Sequence, residues 1–272
     1  MAEPDSRGGA ELRPDRPPAG RDPWHALAAH TPARIALGRA GGSLRTQSLL
    51  DLRVAHARAR DAVRAPFDAA ALGGAFRGRG LESVTLATAA GDRGLYLARP
   101  DLGRELGAAS AGRLRALSSS WGQRDLAILV SDGLSARAAE AHAVPSACEL
   151  ARILAGCGWT LYPIFIVPFA RVKLQDQVGS LVGARFSVIL LGERPGLSAH
   201  DSLGAYLTFG PNAARTDADR NCVSNIRDDG LPPGESARRI ADLLIESRRL
   251  GLSGTALRLA QGPPGPAGGI PA

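Results

Sequence analysis

The chain has 272 residues, a formal charge of +7 and an isoelectric point near 10.3, with 44% hydrophobic but only 4% aromatic residues. That length allows one large domain or two modest ones with real cores. Its three cysteines, an odd set with no C-x-x-C pair, exclude a disulfide framework and a structural zinc site. The basic charge would suit a polyanionic partner, but the arginines are scattered over predicted helices and form no stripe interleaved with aromatics, so nucleic acid is not the leading reading.

Residues 1–20 (MAEPDSRGGAELRPDRPPAG) lack the apolar stretch of a signal peptide, and the segment to about residue 23 reads as a disordered polar tail. The cluster Gly38, Gly41 and Gly42 marks a loop. In TQSLLDLRVAHARARDAV, the residues Leu49, Leu52, His56, Ala59 and Val63 fall at helical spacing, which predicts an amphipathic helix with His56 packed or capped in its core face. Pro66 and Asp68 close that helix and can open the next. SVTLATA (83–89) is a short strand candidate. Pro100 and Asp101 supply a helix start for a segment running to about Leu117.

From Asp125 the pattern changes. LAILVSD (126–132) reads as an apolar strand, followed by a helix that Pro145 should split or divide in two. LYPIFIV (161–167) is a second strand, Gln175 to Leu181 a helix, FSVILLG (186–192) a third strand and AYLTFG (205–210) a fourth. ESARRIADLLIESRRLGLSG gives a terminal helix stopped at Gly251, and QGPPGPAGGIPA a disordered Pro/Gly tail. Apolar strands alternating with helices predict an α/β fold: a Rossmann-like, mostly parallel sheet with helices on both faces. The expected organisation is a mainly helical N-terminal region (24–118), a Rossmann-like domain (119–262) and a tail (263–272). No apolar run reaches the roughly eighteen residues that a membrane span needs, so the expected location is the cytoplasm.

Common catalytic signatures are missing: no phosphate loop, no G-x-S-x-G elbow, no H-E-x-x-H and no intact G-x-G-x-x-G after a strand. The five histidines show no metal-ligand spacing, and His200 reads as a solvated loop residue. Three constellations remain. In SDGLS (131–135), Asp132 and Ser135 stand between a strand and a helix, where they either cap the helix or help hold a polar ligand. In GERPG, Glu193 follows a strand directly and can accept a hydrogen bond from an amide or hydroxyl, or serve as a turn charge. In DRNC, Cys222 borders a charged loop and is either a small hydrophobe or part of a site. Two apolar strands whose C-terminal ends open into GERPG and GPNAARTD describe one ligand-binding rim of an α/β sheet.

The segments GRAGGSLRTQSLLDL, LYLARPDLGREL, LVSDGLS, ARVKLQDQVGSLVGARFSVILLGERPGLS, DSLGAYLTFGP and DADRNCVSNIR together resemble the light chain of adenosylcobalamin-dependent ethanolamine ammonia-lyase, with ordered spacing from about Ala33 to Gly254. The resemblance implies a lyase that splits ethanolamine into acetaldehyde and ammonia by radical chemistry. A heavy chain would carry the substrate in a TIM barrel, while the light chain covers the cobalamin with a Rossmann-like domain. The cofactor does the hard chemistry and the protein supplies position and electrostatics. The light chain would then hold no catalytic acid or base and no metal ligand of its own. By the same resemblance, the cobalamin contacts fall on Val172 in ARVKL, Glu193 in GERPG and Cys222 in DRNC; Asp132 and Ser135, on the same expected rim, are secondary candidates. Within the cytoplasm, a bacterial microcompartment stays open as the location. On the residues alone, two rival readings stay open: a free-standing corrinoid- or nucleotide-binding module without lyase activity, and a basic structural protein that binds nucleic acid.

Overall fold

The computed structural model describes residues 22, 24–31 and 33–260; the polar tail at 1–20 and the Pro/Gly tail lie outside the described residues. The chain divides between Ala57 and Arg58. Before that point stand a 3-10 turn (His25–His30), a small hairpin of β1 (Arg39–Ala40) and β2 (Ser43–Leu44) turned by the predicted glycine loop, and the first turns of α1 (Thr46–Arg64). His56 on α1 is exposed, which corrects the expectation of a packed histidine. The helix buries only its small residues Ala55 and Ala62, so no deep apolar stripe exists for the ring to join.

After Arg58, six strands form one sheet: β3 (Ser83–Thr85), β5 (Ile164–Ile166), β4 (Leu126–Ser131), β6 (Phe186–Gly192), β7 (Leu203–Phe209) and β8 (Arg220–Ile226), in that spatial order. The first four are mutually parallel, and β7 and β8 add an antiparallel extension. The sheet is therefore mixed but mostly parallel, and it reaches back to residue 83. The predicted fourth strand runs antiparallel to the third, with Phe186 opposite Phe209 and Gly192 opposite Leu203. GERPG and the loop after β7 consequently lie at opposite ends of the sheet, and the single rim expected from the sequence does not exist. A ten-residue link is too short for the helical crossover that parallel pairing requires.

Helices cover both faces. On one face α2 (Ala69–Arg77), α5 (Ala136–Gly156) and α7 (Pro233–Leu250) pack against Leu126, Ile128, Val130, Phe186, Val188 and Leu190. On the other, α4 (Ala108–Trp121) and α6 (Leu174–Val182) pack against Ala127, Leu129, Phe165, Ile189 and Leu191. Successive residues of β4 and β6 thus bury on opposite sides, which is why those strands are apolar throughout. The short α3 (Arg93–Ala98) and α8 (Gly254–Ala260) lie outside these layers.

Several local features follow the sequence. Asp68 caps α2 by accepting the Ala71 N–H, and Gly251 ends α7 in a left-handed conformation. Pro145, by contrast, does not split its helix: α5 is continuous across it. The carbonyl that the proline leaves without a donor belongs to Ala141, an exposed position, while Ala143, Val144, Ala147 and Leu150 hold the buried face. The helix expected from Pro100 begins later, at Ala108, because Leu102–Arg104 is a 3-10 turn and Leu106 bridges Thr88.

Candidate functional site

At the ends of β4 and β5 the chain leaves toward opposite faces, into α5 and α6 respectively. Here Asp132 is buried. Its Oδ1 accepts the Phe169 N–H at 2.7 Å, and its Oδ2 accepts from Arg93 Nη1 at 2.8 Å. Burial raises the Asp132 carboxyl above its usual range, against the opposing pull of the Phe169 N–H and Arg93. Ser131 Oγ accepts the Ala170 N–H at 3.0 Å, and Arg93 also donates to the Gly133 and Val63 carbonyls. Phe169 has φ of 61°, a left-handed conformation that costs about 1–3 kcal/mol in a bulky residue, and these bonds hold it there. Ser135 caps α5 and donates to the His200 carbonyl at 2.9 Å. Asp132 and Ser135 are therefore occupied by the fold, as helix-capping and turn-anchoring groups.

Backbone contact brings the SDGLS and GERPG turns together. Leu134 N–H donates to the Gly192 carbonyl at 2.9 Å, and a Cβ on Gly192 would meet the Asp132 and Ser135 carbonyls at 2.3 and 2.2 Å. Only glycine permits that approach.

Past the anchored turn the second face of the sheet is open. A groove of about 1090 Å³ runs between α6 and the β7–β8 extension, with Val172 and Cys222 both in its lining. Val172 precedes α6, half-buried, and its N–H has no acceptor among the described residues. Cys222 lies on β8 opposite Tyr206 of β7, so their side chains share a face. Although Cys222 is exposed, its thiol stands in a concave wall, and lost solvation, with the Glu193 carboxylate adding to it, pushes the thiol up. Tyr206 is raised in the same way, first by burial, and remains a neutral phenol.

Glu193 stands next to this groove but not in its lining. It continues the face of Leu191, which pairs with Gly204. Its Oε2 accepts from Ser202 Oγ at 2.5 Å, while Oε1 has no hydrogen-bond partner among the described residues. The carboxylate rests over Gly204, where a Cβ would stand 2.7 Å from Oε1. Glu193, Gly204, Tyr206 and Cys222 thus follow one another across one face of the sheet.

Comparison with known proteins decides which family built this wall. The sequence pattern of the family described as "Ethanolamine ammonia-lyase light chain (EutC)" matches residues 21–258. The chain belongs to the ethanolamine ammonia-lyase light-chain family. Among similar proteins, the ethanolamine ammonia-lyase small subunit of Azotobacter vinelandii is 51% identical over 245 residues, covering 90% of this chain and 91% of that one. The small subunit from Pseudomonas paraeruginosa is 51% identical over 238 residues (87% of each chain), and that from Xanthomonas campestris pv. campestris 49% over 246 residues (90% of each). The light chain is a subunit of a lyase, and a small subunit implies a large one as partner.

The light chain also holds groove residues that sequence reasoning missed. Asp176 of α6 and Arg220 of β8 form a buried bidentate pair at 2.8 and 2.7 Å, and Arg220 adds Thr208 Oγ1 at 3.1 Å. This pair ties the helix wall to the strand wall. Lys173 Nζ closes the same end, donating to the Ala213 and Arg215 carbonyls beside Asp176. Asp176, the one charged residue in the helix LQDQVGSLV, was the available signal, since a charge on a buried helix face needs a partner. Cys148, Cys157 and Cys222 are free thiols, and no group of metal-ligating side chains occurs among the described residues. No helix among them is long and apolar enough to cross a membrane.

Proposed function

We propose that this chain is the cobalamin-binding subunit of a heteromeric ethanolamine ammonia-lyase, with the substrate site on the heavy chain. The observation that carries this reading is the open wall on the second face, where Val172 N–H, Glu193 Oε1 and Arg171 Nε stand without protein partners among the described residues. A corrin is a broad, largely apolar disc rimmed by neutral amide side chains. The half-buried Val172 and Tyr206 suit its apolar edge, the free Val172 N–H suits an amide carbonyl, and Glu193 Oε1 suits an amide N–H. Cys222 offers a small neutral surface where a larger side chain would narrow the groove.

In this account the residues of the chain bind and orient, and none transfers a proton. Val172 donates from its backbone, and Glu193, steadied by Ser202 over Gly204, accepts. The Asp176–Arg220 pair keeps the two walls at a fixed separation. Bound adenosylcobalamin would supply the organic radical that removes a substrate hydrogen, and water is kept from it by closing the groove against the heavy chain. We further read the parallel part of the sheet as Rossmann-like and the setting as cytoplasmic, with a bacterial microcompartment as the assembly around it.

The test is reconstitution. The chain alone should release no ammonia from ethanolamine, and mixing with its heavy chain and adenosylcobalamin should restore turnover. Failure to restore it with a heavy chain shown to associate would overturn the proposal.

A further inference from the structure

Resting on the cobalamin reading, we infer that Arg171 is the receptor for the cofactor's phosphodiester. Five basic and three acidic side chains line the groove. Most of them neutralise one another: Arg220 and Lys173 engage Asp176, Arg220 also reaches Asp217, and Arg215 engages Asp219. Arg171 is different. Its Nε is buried with no hydrogen-bond partner in the structure, and its side chain makes no ion pair among the described residues. A buried guanidinium N–H without an acceptor is costly in a finished structure and marks a place where a ligand atom belongs.

The geometry fixes which part of the guanidinium is available. Its Cζ lies 4.2 Å from the Tyr96 ring centroid, a cation–π contact that uses none of its N–H donors. The residue is held from behind: Arg171 N–H donates to the Gly103 carbonyl at 2.8 Å, and the Tyr96 hydroxyl, pushed up to about 12 by burial, donates to the Ala170 carbonyl at 3.2 Å. The Asp132 and Ser131 bonds to Phe169 and Ala170 fix the same turn from the other side. A preorganised, unpaired guanidinium edge matches a phosphate bidentately. Cobalamin has neutral amides around its ring and one anionic group, the phosphodiester that joins it to its nucleotide. Arg171 directly precedes Val172, so one turn would hold both the corrin edge and the nucleotide arm. Arg104, exposed on the same groove and without a side-chain partner among the described residues, adds a second positive charge.

The experiment compares two corrinoids on the assembled two-subunit complex: cyanocobalamin, and dicyanocobinamide, which ends before the phosphodiester. Binding is followed by visible absorption for wild type, Arg171→Gln and Arg171→Lys. Arg171→Gln should weaken cyanocobalamin by about tenfold or more while changing dicyanocobinamide less than about twofold, with Arg171→Lys between. Raising salt should weaken cyanocobalamin binding to wild type more steeply than to Arg171→Gln, a readout that needs no cobinamide binding. Equal losses for both corrinoids, or equal salt slopes, would overturn the assignment. Unchanged cyanocobalamin affinity with impaired heavy-chain association would overturn it too, giving the guanidinium to a partner carboxylate. If the wild-type complex takes up neither corrinoid, the cobalamin reading itself falls; if it takes up cyanocobalamin and Arg171→Gln does so as tightly, only the phosphodiester assignment falls.

Discussion

Two polar regions of the light chain meet at the turn Phe169–Val172 and differ in how far their hydrogen bonds are satisfied. In the turn after β4, Asp132 uses both carboxylate oxygens on Arg93, Phe169 and Ser131, Ser135 caps α5, and the residues are buried. In and beside the groove, the half-buried residues Val172, Glu193 and Arg171 keep a free N–H, a free oxygen and a buried, unpaired Nε. A satisfied buried network holds a backbone in place, whereas unsatisfied groups in a concavity are arranged for something not in the chain. The residue types alone do not separate these cases, since each region reads as a carboxylate at the end of a strand.

The comparison predicts different outcomes for substitutions on its two sides. Asp132→Ala removes the partner of the half-buried Arg93 and of the N–H of left-handed Phe169; urea unfolding should show a loss of about 3 kcal/mol. A loss under about 1 kcal/mol would show that the turn is held by something else. Gly204→Ala acts on the other side. Its Cβ would displace the Glu193 carboxylate, so cobalamin affinity of the complex should fall by roughly fivefold with little change in unfolding midpoint. Unchanged affinity would separate Glu193's position from binding. At the small end, His56→Ala should alter the stability of the light chain by no more than about 0.5 kcal/mol, because the ring is exposed on α1; a larger change would restore the packed histidine that helical spacing suggested.

How legible each part was in the sequence follows from what encodes it. β6 was read to the residue, since seven consecutive apolar or small residues buried on both faces admit little else. α6 and α7 were marked by helical periodicity and, for α7, a glycine stop. β8 was missed. Its two Asn and its Ser favour turns, and its two core residues, Val223 and Ile226, are three apart instead of two. A bulge explains the spacing: β8 gains a residue against β7 between the pairs Ala205–Val223 and Leu203–Ile226, with Asn225 at φ of 60°. The pairing with β7 that puts Cys222 beside Tyr206 is tertiary information. So is the Asp176–Arg220 pair, whose members are 44 residues apart.

Glu193→Gln bears on the wall most directly, because it keeps size and shape while removing the charge of a carboxylate whose Oε1 has no hydrogen-bond partner among the described residues. Cobalamin titrated into the assembled complex should bind the Glu193→Gln form more weakly by about 1–3 kcal/mol, with the unfolding midpoint of the light chain unchanged. Equal affinity for wild type and variant would contradict the account and return Glu193 to the role of a turn charge.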